Sequence, residues 1–253
     1  MSDALTDAAV MSARSLRLSR RNVDALITAL ALPVMLLLVF VYFFGGAIET
    51  GTTTAYVTWV VPGVLLLCAG FGSSNTAVAV VEDLRTGIID RFRSLDIGGA
   101  PILAGHVAAS AARNLVATTL VLALAFAIGF RPSATAAGWF AALAILAVFV
   151  LALSWLSATV GLLAKSPEAA GGFTFFVSFL PYPSSAFVPT DSMPSWLRTF
   201  AEHQPISQVI DSLRGLLLGQ PVGWTPWVAL AWCAGILLVS VAVSGWLFRR
   251  RTA

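Results

Sequence analysis

Long apolar runs without charged residues alternate with short polar stretches along the chain. A helix rises about 1.5 Å per residue, so about twenty apolar residues cross the hydrocarbon of a bilayer. Six runs reach this length, and they cover residues 25–44, 57–81, 111–130, 137–164, 169–188 and 227–248; the one charge among them is Arg113, near the start of the third, where it can snorkel to the headgroups. The pattern predicts an all-α integral membrane protein with six transmembrane helices in one domain, 25–248, between a basic amphipathic helix, 1–24, and a basic tail, 249–253.

Composition supports this class of protein. The chain is 58% hydrophobic and 11% charged, far below the roughly 25% charged residues of soluble domains. Its mean hydropathy is +0.88. Cys68 and Cys233 both lie inside apolar runs, where we expect them to be small buried hydrophobic residues rather than a disulfide or metal ligands.

Basic residues are unevenly divided between the two sides of the predicted membrane domain. Eleven lie on the side of the two termini, the segment 82–101 and Lys165, and three, Arg131, Arg198 and Arg214, lie on the other. Because cytoplasmic loops carry the excess of lysine and arginine, both termini and the segment 82–101 are predicted to be cytoplasmic, and 189–221 extracellular.

The segment 82–101 is the longest charged interruption of the apolar pattern, with seven charges between Glu82 and Asp96. Such a density of charge requires water. Apolar residues recur at helical spacing at Leu84, Ile88, Phe92 and Leu95. We therefore expect an amphipathic helix, which either lies flat on the membrane surface or docks into another protein.

The segment 189–221 predicts two short interfacial or re-entrant helices. Pro194 suits the start of the first, and Gly219 and Pro221 end the second. The second carries an apolar stripe with Asp211 and Arg214 off it; the stripe consists of Ile206, Val209, Ile210, Leu213, Leu216 and Leu217.

Catalytic motifs are absent from the sequence. There is no GxxxxGK[ST] phosphate loop, no nucleophile with a base at a recognisable spacing and no acid inside a span. His106 and His203 fall on opposite predicted sides, so they cannot share a metal. We predict no catalytic and no metal site, and the residues indicate movement of a substrate driven by a partner.

Polar and aromatic residues at membrane depth suggest a substrate path. Ser73, Ser74, Asn75 and Thr76 form a polar run within the second span, and interhelical hydrogen bonding is the alternative interpretation. We hypothesise that Asn75, Phe176, Phe179 and Tyr182 line a path, although the phenylalanines could equally pack or face lipid.

Two stretches, DLRTGIIDRFRSL and FVPTDSMPSWLRTFAEHQPISQVIDSLRGLLLG, closely resemble permease subunits of ABC exporters of the ABC-2 type, in particular the daunorubicin-resistance-like branch. The resemblance implies a separate ATPase subunit in two copies, with ATP and Mg²⁺ bound there and no cofactor in this chain. It also implies a second permease, identical or different, and no nucleic-acid partner. Fourteen arginines against one lysine suggest a bacterial source, and hence the inner membrane.

The resemblance assigns residues to two roles. Those of the coupling helix that docks into the ATPase are Glu82, Asp83, Arg85, Gly87, Ile88, Arg91, Phe92, Arg93 and Leu95. Those of an external lid of structural role are Pro189, Met193, Pro194, Trp196, Leu197, Pro205, Asp211 and Arg214. Asp96 stands where the family commonly has proline, at the exit from the coupling helix.

The function we expect is export of a hydrophobic or amphipathic substrate such as a drug, a polyketide or a lipid. Permeases of this architecture also export polysaccharides, and fold alone does not choose among these substrates. An ATP-independent channel or a sodium-coupled secondary transporter is the alternative from another class. A membrane enzyme or a scaffold for one is a third, for which no reactive group is evident.

Overall fold

The computed structural model describes residues 2–21, 23–48, 55–94 and 98–251, and its regular secondary structure in these ranges is helical, with no described residue in a β-strand. The helices are α1 (Ser2–Arg21), α2 (Val23–Val39), α3 (Tyr56–Arg85), α4 (Ile88–Arg93), α5 (Gly99–Ala127), α6 (Ala136–Leu163), α7 (Pro167–Phe179), α8 (Ser195–His203), α9 (Pro205–Leu217) and α10 (Thr225–Arg251). A π-helical turn, Phe40–Phe44, continues α2, and a 3₁₀ turn, Thr190–Ser192, precedes α8.

Four helices, α3, α5, α6 and α10, are long and apolar enough to cross a membrane. They confirm four of the predicted spans as helices. In the predicted first span, α2 and the π-helical turn are continuous and include the shorter apolar helix Leu30–Phe44. In the predicted fifth span, α7 covers only the first part before turns follow from Leu180. The count of six therefore stays a prediction.

The helix ends follow from local sequence. Ser166 accepts a hydrogen bond from the amide of Ala169 at 3.3 Å, and Pro167 is the first residue of α7. α7 ends at Phe179, two residues before Pro181, which has no backbone N–H to continue the helix. Gly219 follows α9 with φ +63°, a conformation that glycine adopts without steric cost.

The central element is α3, which packs against α2, α5, α6, α7 and α9. Its inward residues Val60, Leu66 and Leu67 are almost completely buried. Small residues allow the helices to approach closely: a Cβ on Gly161 of α6 would lie only 2.6 Å from the carbonyl oxygen of Ala77. Long helices thus contact α3 through glycine and alanine, as is typical of membrane bundles.

We call one end of the bundle the basic end; it holds α1, α4, the C-terminal ends of α3, α6 and α10, and the N-terminal end of α5. A buried cluster joins these elements and consists of Met11, Val80, Ile89, Ile102, Leu103, Ala158, Leu162, Leu247 and Phe248. We call the other end the capped end, because α8 and α9 cover it. There Arg214 lies beside Trp59 near the start of α3. The structure thus separates the two groups of basic residues that the sequence predicts to face opposite sides.

Candidate functional sites

The predicted coupling helix is two pieces rather than one. The chain leaves α3 after Arg85 and turns at Gly87, which has φ +69°, before α4 begins at Ile88. The prediction of one continuous amphipathic helix is therefore wrong, because the left-handed residue breaks its register. Ile89, not Ile88, is the fully buried side chain, at 1% exposure. Leu95 and Asp96, the residue that departs from the family pattern, lie outside the described residues.

The apolar side of this segment packs against its own chain. Ile89 belongs to the buried cluster of the basic end, and Leu84 and Phe92 pack against that cluster. On the opposite side, Glu82, Arg85 and Arg91 are exposed. The structure therefore leaves a charged surface, rather than an apolar one, available at the basic end.

Asp83 is turned away from that surface into an ionic cluster. Its Oδ2 accepts a hydrogen bond from Nη1 of Arg14 at 3.0 Å. Nε2 of His106 lies 3.2 Å from the same oxygen. These contacts join α1, α3 and α5, so the Asp83 carboxylate binds side chains of its own chain.

The N-terminal helix α1 packs on α5 at the same place. Met11 is buried, and a Cβ on Gly105 would lie 2.8 Å from the backbone of Met11. The sequence predicts a basic amphipathic helix here; in the structure Met11 of this helix also belongs to the buried cluster of the basic end.

A second cluster of polar side chains lies at membrane depth between α3, α5 and α6. The Nδ2 of Asn114 donates to Ser73 Oγ at 3.3 Å and to the carbonyl of Ser110 at 3.0 Å. The hydroxyl of Ser110 is 2.8 Å from that of Ser154. Nearby, Nη2 of Arg113 donates to Thr76 Oγ1 at 3.1 Å.

Ser73 and Thr76 thus form hydrogen bonds between helices, which was the alternative interpretation of the polar run. The sequence analysis did not single out Asn114. The available signal was an asparagine one helical turn after Ser110 inside an apolar run, because buried polar side chains at this spacing share a helix face.

The predicted path residues lie elsewhere. Asn75 belongs to a partly exposed stripe of α3, which comprises Phe71, Asn75, Val78 and Glu82. On the adjacent α7, Phe176 is 65% and Phe179 56% exposed. The rings of Phe179 and Tyr182 stack with centroids 5.1 Å apart. Because α3 and α7 pack together, these residues occupy neighbouring surfaces.

The cap, which consists of α8 and α9, is anchored by Arg214. This residue lies off the apolar stripe of α9 but is nevertheless buried. Its guanidinium is 3.7 Å from the centroid of the Trp59 ring. Its Nε donates to the carbonyl of Trp59 at 3.3 Å, and its Nη1 to Asp211 Oδ1 at 2.8 Å. Its Nη2 donates to the carbonyl of Ser185. Burial lowers the pKa of Arg214 to about 10, so it remains a cation at neutral pH.

The other residues of the predicted lid lie in and around α8 and α9. Pro189 precedes the 3₁₀ turn, Pro194 precedes α8, and Pro205 begins α9. Met193 and Leu197 are half-buried, whereas Trp196 is exposed. The predicted stripe of α9 is confirmed: Ile206, Val209, Ile210, Leu213 and Leu217 are buried and Leu216 is half-buried.

The sites lie within one recognised family. The family model described as ABC-2 type transporter matches residues 6–218. The chain belongs to this family and is a membrane permease subunit of an ABC exporter.

Its relatives include the daunorubicin resistance ABC transporter permease protein DrrB1 of Streptomyces coeruleorubidus, with 30% identity over 90% of this chain and 81% of the relative. The probable doxorubicin resistance ABC transporter permease protein DrrC of Mycobacterium tuberculosis, from strains CDC 1551 / Oshkosh and H37Rv, is 28% identical over 87% of this chain and 79% of the relative.

Proposed function

We propose that this chain moves a hydrophobic or amphipathic substrate out of a bacterial cell through the inner membrane, energised by a separate ATPase subunit. The observation that carries the proposal is the geometry of the coupling segment, by which we mean the chain from Glu82 through α4. Its apolar side chains pack against the bundle, and its charged side chains Glu82, Arg85 and Arg91 are exposed on the other side. The names of two relatives refer to resistance to daunorubicin and doxorubicin. An aromatic, amphipathic compound of that type is the substrate class we favour, before other polyketides, drugs or lipids.

The coupling segment is suited to transmit movement. Ile89 anchors α4 in the buried cluster that also contains Leu103 and Leu247. A displacement of α4 therefore acts on α5 and α10 together, because packed interfaces shift between discrete arrangements rather than deform continuously. Glu82, Arg85 and Arg91 are the side chains we assign to contact with the ATPase.

The assembly we propose contains two ATPase subunits and a second permease, identical to this chain or different. ATP and Mg²⁺ bind to the ATPase subunits. The basic end faces the cytoplasm, which follows from the excess of basic residues there, and the chain crosses the membrane six times. When ATP closes the ATPases, the coupling segments move with them and open a path between the permeases.

We place that path along the partly exposed stripe of α3 and the adjacent face of α7. Asn75 supplies a polar group, and Phe176, Phe179 and Tyr182 supply aromatic surface for an apolar substrate. The cap, from Met193 to Leu218, closes the path on the outer side. Its anchorage by Arg214 gives it the rigidity that a lid requires.

The proposal is tested by purifying the tagged chain from its own host in mild detergent and identifying the proteins that accompany it. We expect an ATPase with a phosphate-binding loop to accompany the native chain and to be lost from the Arg85→Glu/Arg91→Glu variant. Lys165→Glu is the matched control, because Lys165 is exposed in the turn after α6. Recovery of the chain as a lone oligomer without an ATPase would favour a channel or secondary transporter.

A further inference from the structure

A groove of about 160 Å³ lies at the basic end between α5, α6 and α10. Leu103, Trp155 and Phe248 give it apolar walls, and Arg249 lines it as well. None of these residues belongs to the coupling surface, the path or the cap. The groove therefore needs an explanation of its own.

Glycine creates the open space in this groove. A Cβ on Gly245 would meet no heavy atom within 4 Å, whereas a Cβ on Gly99 would lie 2.2 Å from the ring of Phe248. Phe248 is thus packed down onto Gly99, and the space over Gly245 stays free. Ser244 also lines the groove, but its hydroxyl donates to the carbonyl of Val241 at 3.0 Å. The free space consequently suits an alkyl chain better than a polar molecule.

One arginine, Arg249, lines the groove, and a second, Arg250, follows it in the chain. Arg249 and Arg250 are exposed at the end of α10, and the guanidinium of Arg250 lies 4.2 Å from the centroid of the Trp246 ring. Tryptophan is typical of the membrane interface, so this end of the groove lies at headgroup level. Basic pockets between transmembrane helices on the cytoplasmic side attract anionic headgroups.

We propose that this groove is a binding site for a phospholipid with an anionic headgroup. One acyl chain lies along Gly245 between Trp155 and Phe248, and the headgroup phosphate lies against Arg249 and Arg250. The apolar walls supply affinity through burial of the chain, and the arginines supply selection for negative charge.

Occupancy of the groove is linked to the coupling segment. Leu103 and Phe248 line the groove and also belong to the buried cluster that holds Met11 and Ile89. A bound chain therefore supports the same packing that anchors α1 and α4. This inference goes beyond export and concerns lipid binding by the permease itself, so it is tested without any measurement of transport.

The experiment is native mass spectrometry of the purified full-length chain with added phosphatidylglycerol or phosphatidylcholine of identical acyl chains. We expect preferential retention of phosphatidylglycerol. Gly245→Phe fills the groove and should abolish that preference. Gly235→Phe is the matched control, since Gly235 is on the same helix and its Cβ position also has no neighbour within 4 Å. Arg249→Gln/Arg250→Gln should weaken phosphatidylglycerol retention about fivefold for each arginine removed.

Equal retention of the two lipids by the native chain would overturn the proposal. So would equal losses in the two glycine variants, because the lipid would then bind elsewhere. Loss of both lipids in Gly245→Phe without any effect of the arginine substitutions would indicate an apolar site without headgroup selection, which also contradicts it. If Gly245→Phe does not fold, the proposal is tested by Arg249→Gln/Arg250→Gln alone. That variant should fold, because Arg249 and Arg250 are exposed at the helix end.

Discussion

Arg14 of the N-terminal helix donates a hydrogen bond to Asp83 at 3.0 Å, across 69 positions of the chain. Asp83 is two residues before the end of α3, immediately before the turn into α4. The side chains are only 25% and 14% exposed, so water screens this pair less than it would a surface pair. The N-terminal helix is thereby tied to the base of the coupling segment.

Reversing the charge of Arg14 should release α1. Arg14→Glu places two carboxylates together and removes a charged hydrogen bond, at a cost on the order of 2 kcal/mol. We expect faster hydrogen exchange throughout residues 2–21, measured by mass spectrometry. Arg17→Glu should have little effect, because the Nε of Arg17 bonds to the carbonyl of Ala13 within its own helix. If Arg14→Glu/Asp83→Arg restores protection from exchange, the ion pair is the cause. Equal exchange rates in Arg14→Glu and Arg17→Glu would contradict this role.

The polar cluster at membrane depth should be sensitive to one added methyl group. A Cβ on Gly72 would lie 2.3 Å from Oδ1 of Asn114, so Gly72→Ala should displace this side chain from its hydrogen bonds. Overpacking of this kind costs about 1–3 kcal/mol. The measurement is thermal unfolding in detergent. Gly70→Ala is the matched control, because its Cβ would lie 3.7 Å from Ser178, an ordinary contact.

A double variant tests whether Asn114 is the side chain that the methyl group at position 72 displaces. In Gly72→Ala/Asn114→Ala the alanine at position 72 no longer meets the asparagine, so the double variant should lose less stability than the two single losses added together. Strict additivity would show that the crowding at Gly72 does not involve Asn114.

The long helices are predictable from sequence because charged residues mark their ends. The predicted spans 57–81, 137–164 and 227–248 correspond to Tyr56–Arg85, Ala136–Leu163 and Thr225–Arg251. The stripe of α9 is predictable for a related reason, since apolar spacing identifies the face that packs. Both properties depend only on residues close together in the chain.

The contacts of the candidate sites are not local, and the sequence pattern does not reveal them. Asp83 meets Arg14 from 69 positions away, and Asn114 meets Ser73 from 41. The turn at Gly87 is not predictable for a different reason: one glycine inside a helical repeat leaves the periodicity intact, and only its positive φ shows the break.

The anchorage of the cap should depend on the shape of Arg214 as well as its charge. Arg214→Lys keeps a cation but loses the planar group that stacks on Trp59 and reaches two carbonyls. We expect a loss of about 1–3 kcal/mol in the free energy of unfolding, monitored by thermal unfolding. Arg198→Lys is the control, because Arg198 lies on the neighbouring helix α8. Its ion pairs with Asp191 and Glu202 are exposed and screened by water, so they add little stability, and equal losses in the two variants would contradict the anchoring role of Arg214.

The exposed aromatic face of α7 should influence which compounds are exported. Phe176→Ala/Phe179→Ala removes two rings that are more than half exposed, so little packing is lost and assembly with the ATPase should persist. We expect altered relative export of apolar aromatic compounds, measured as cellular accumulation of a panel of dyes and drugs. Phe140→Ala is the matched control, because Phe140 is 78% exposed on α6 and is not among the residues assigned to the path. If every compound is exported as before, α7 does not line the path, and its phenylalanines face lipid or a second permease instead.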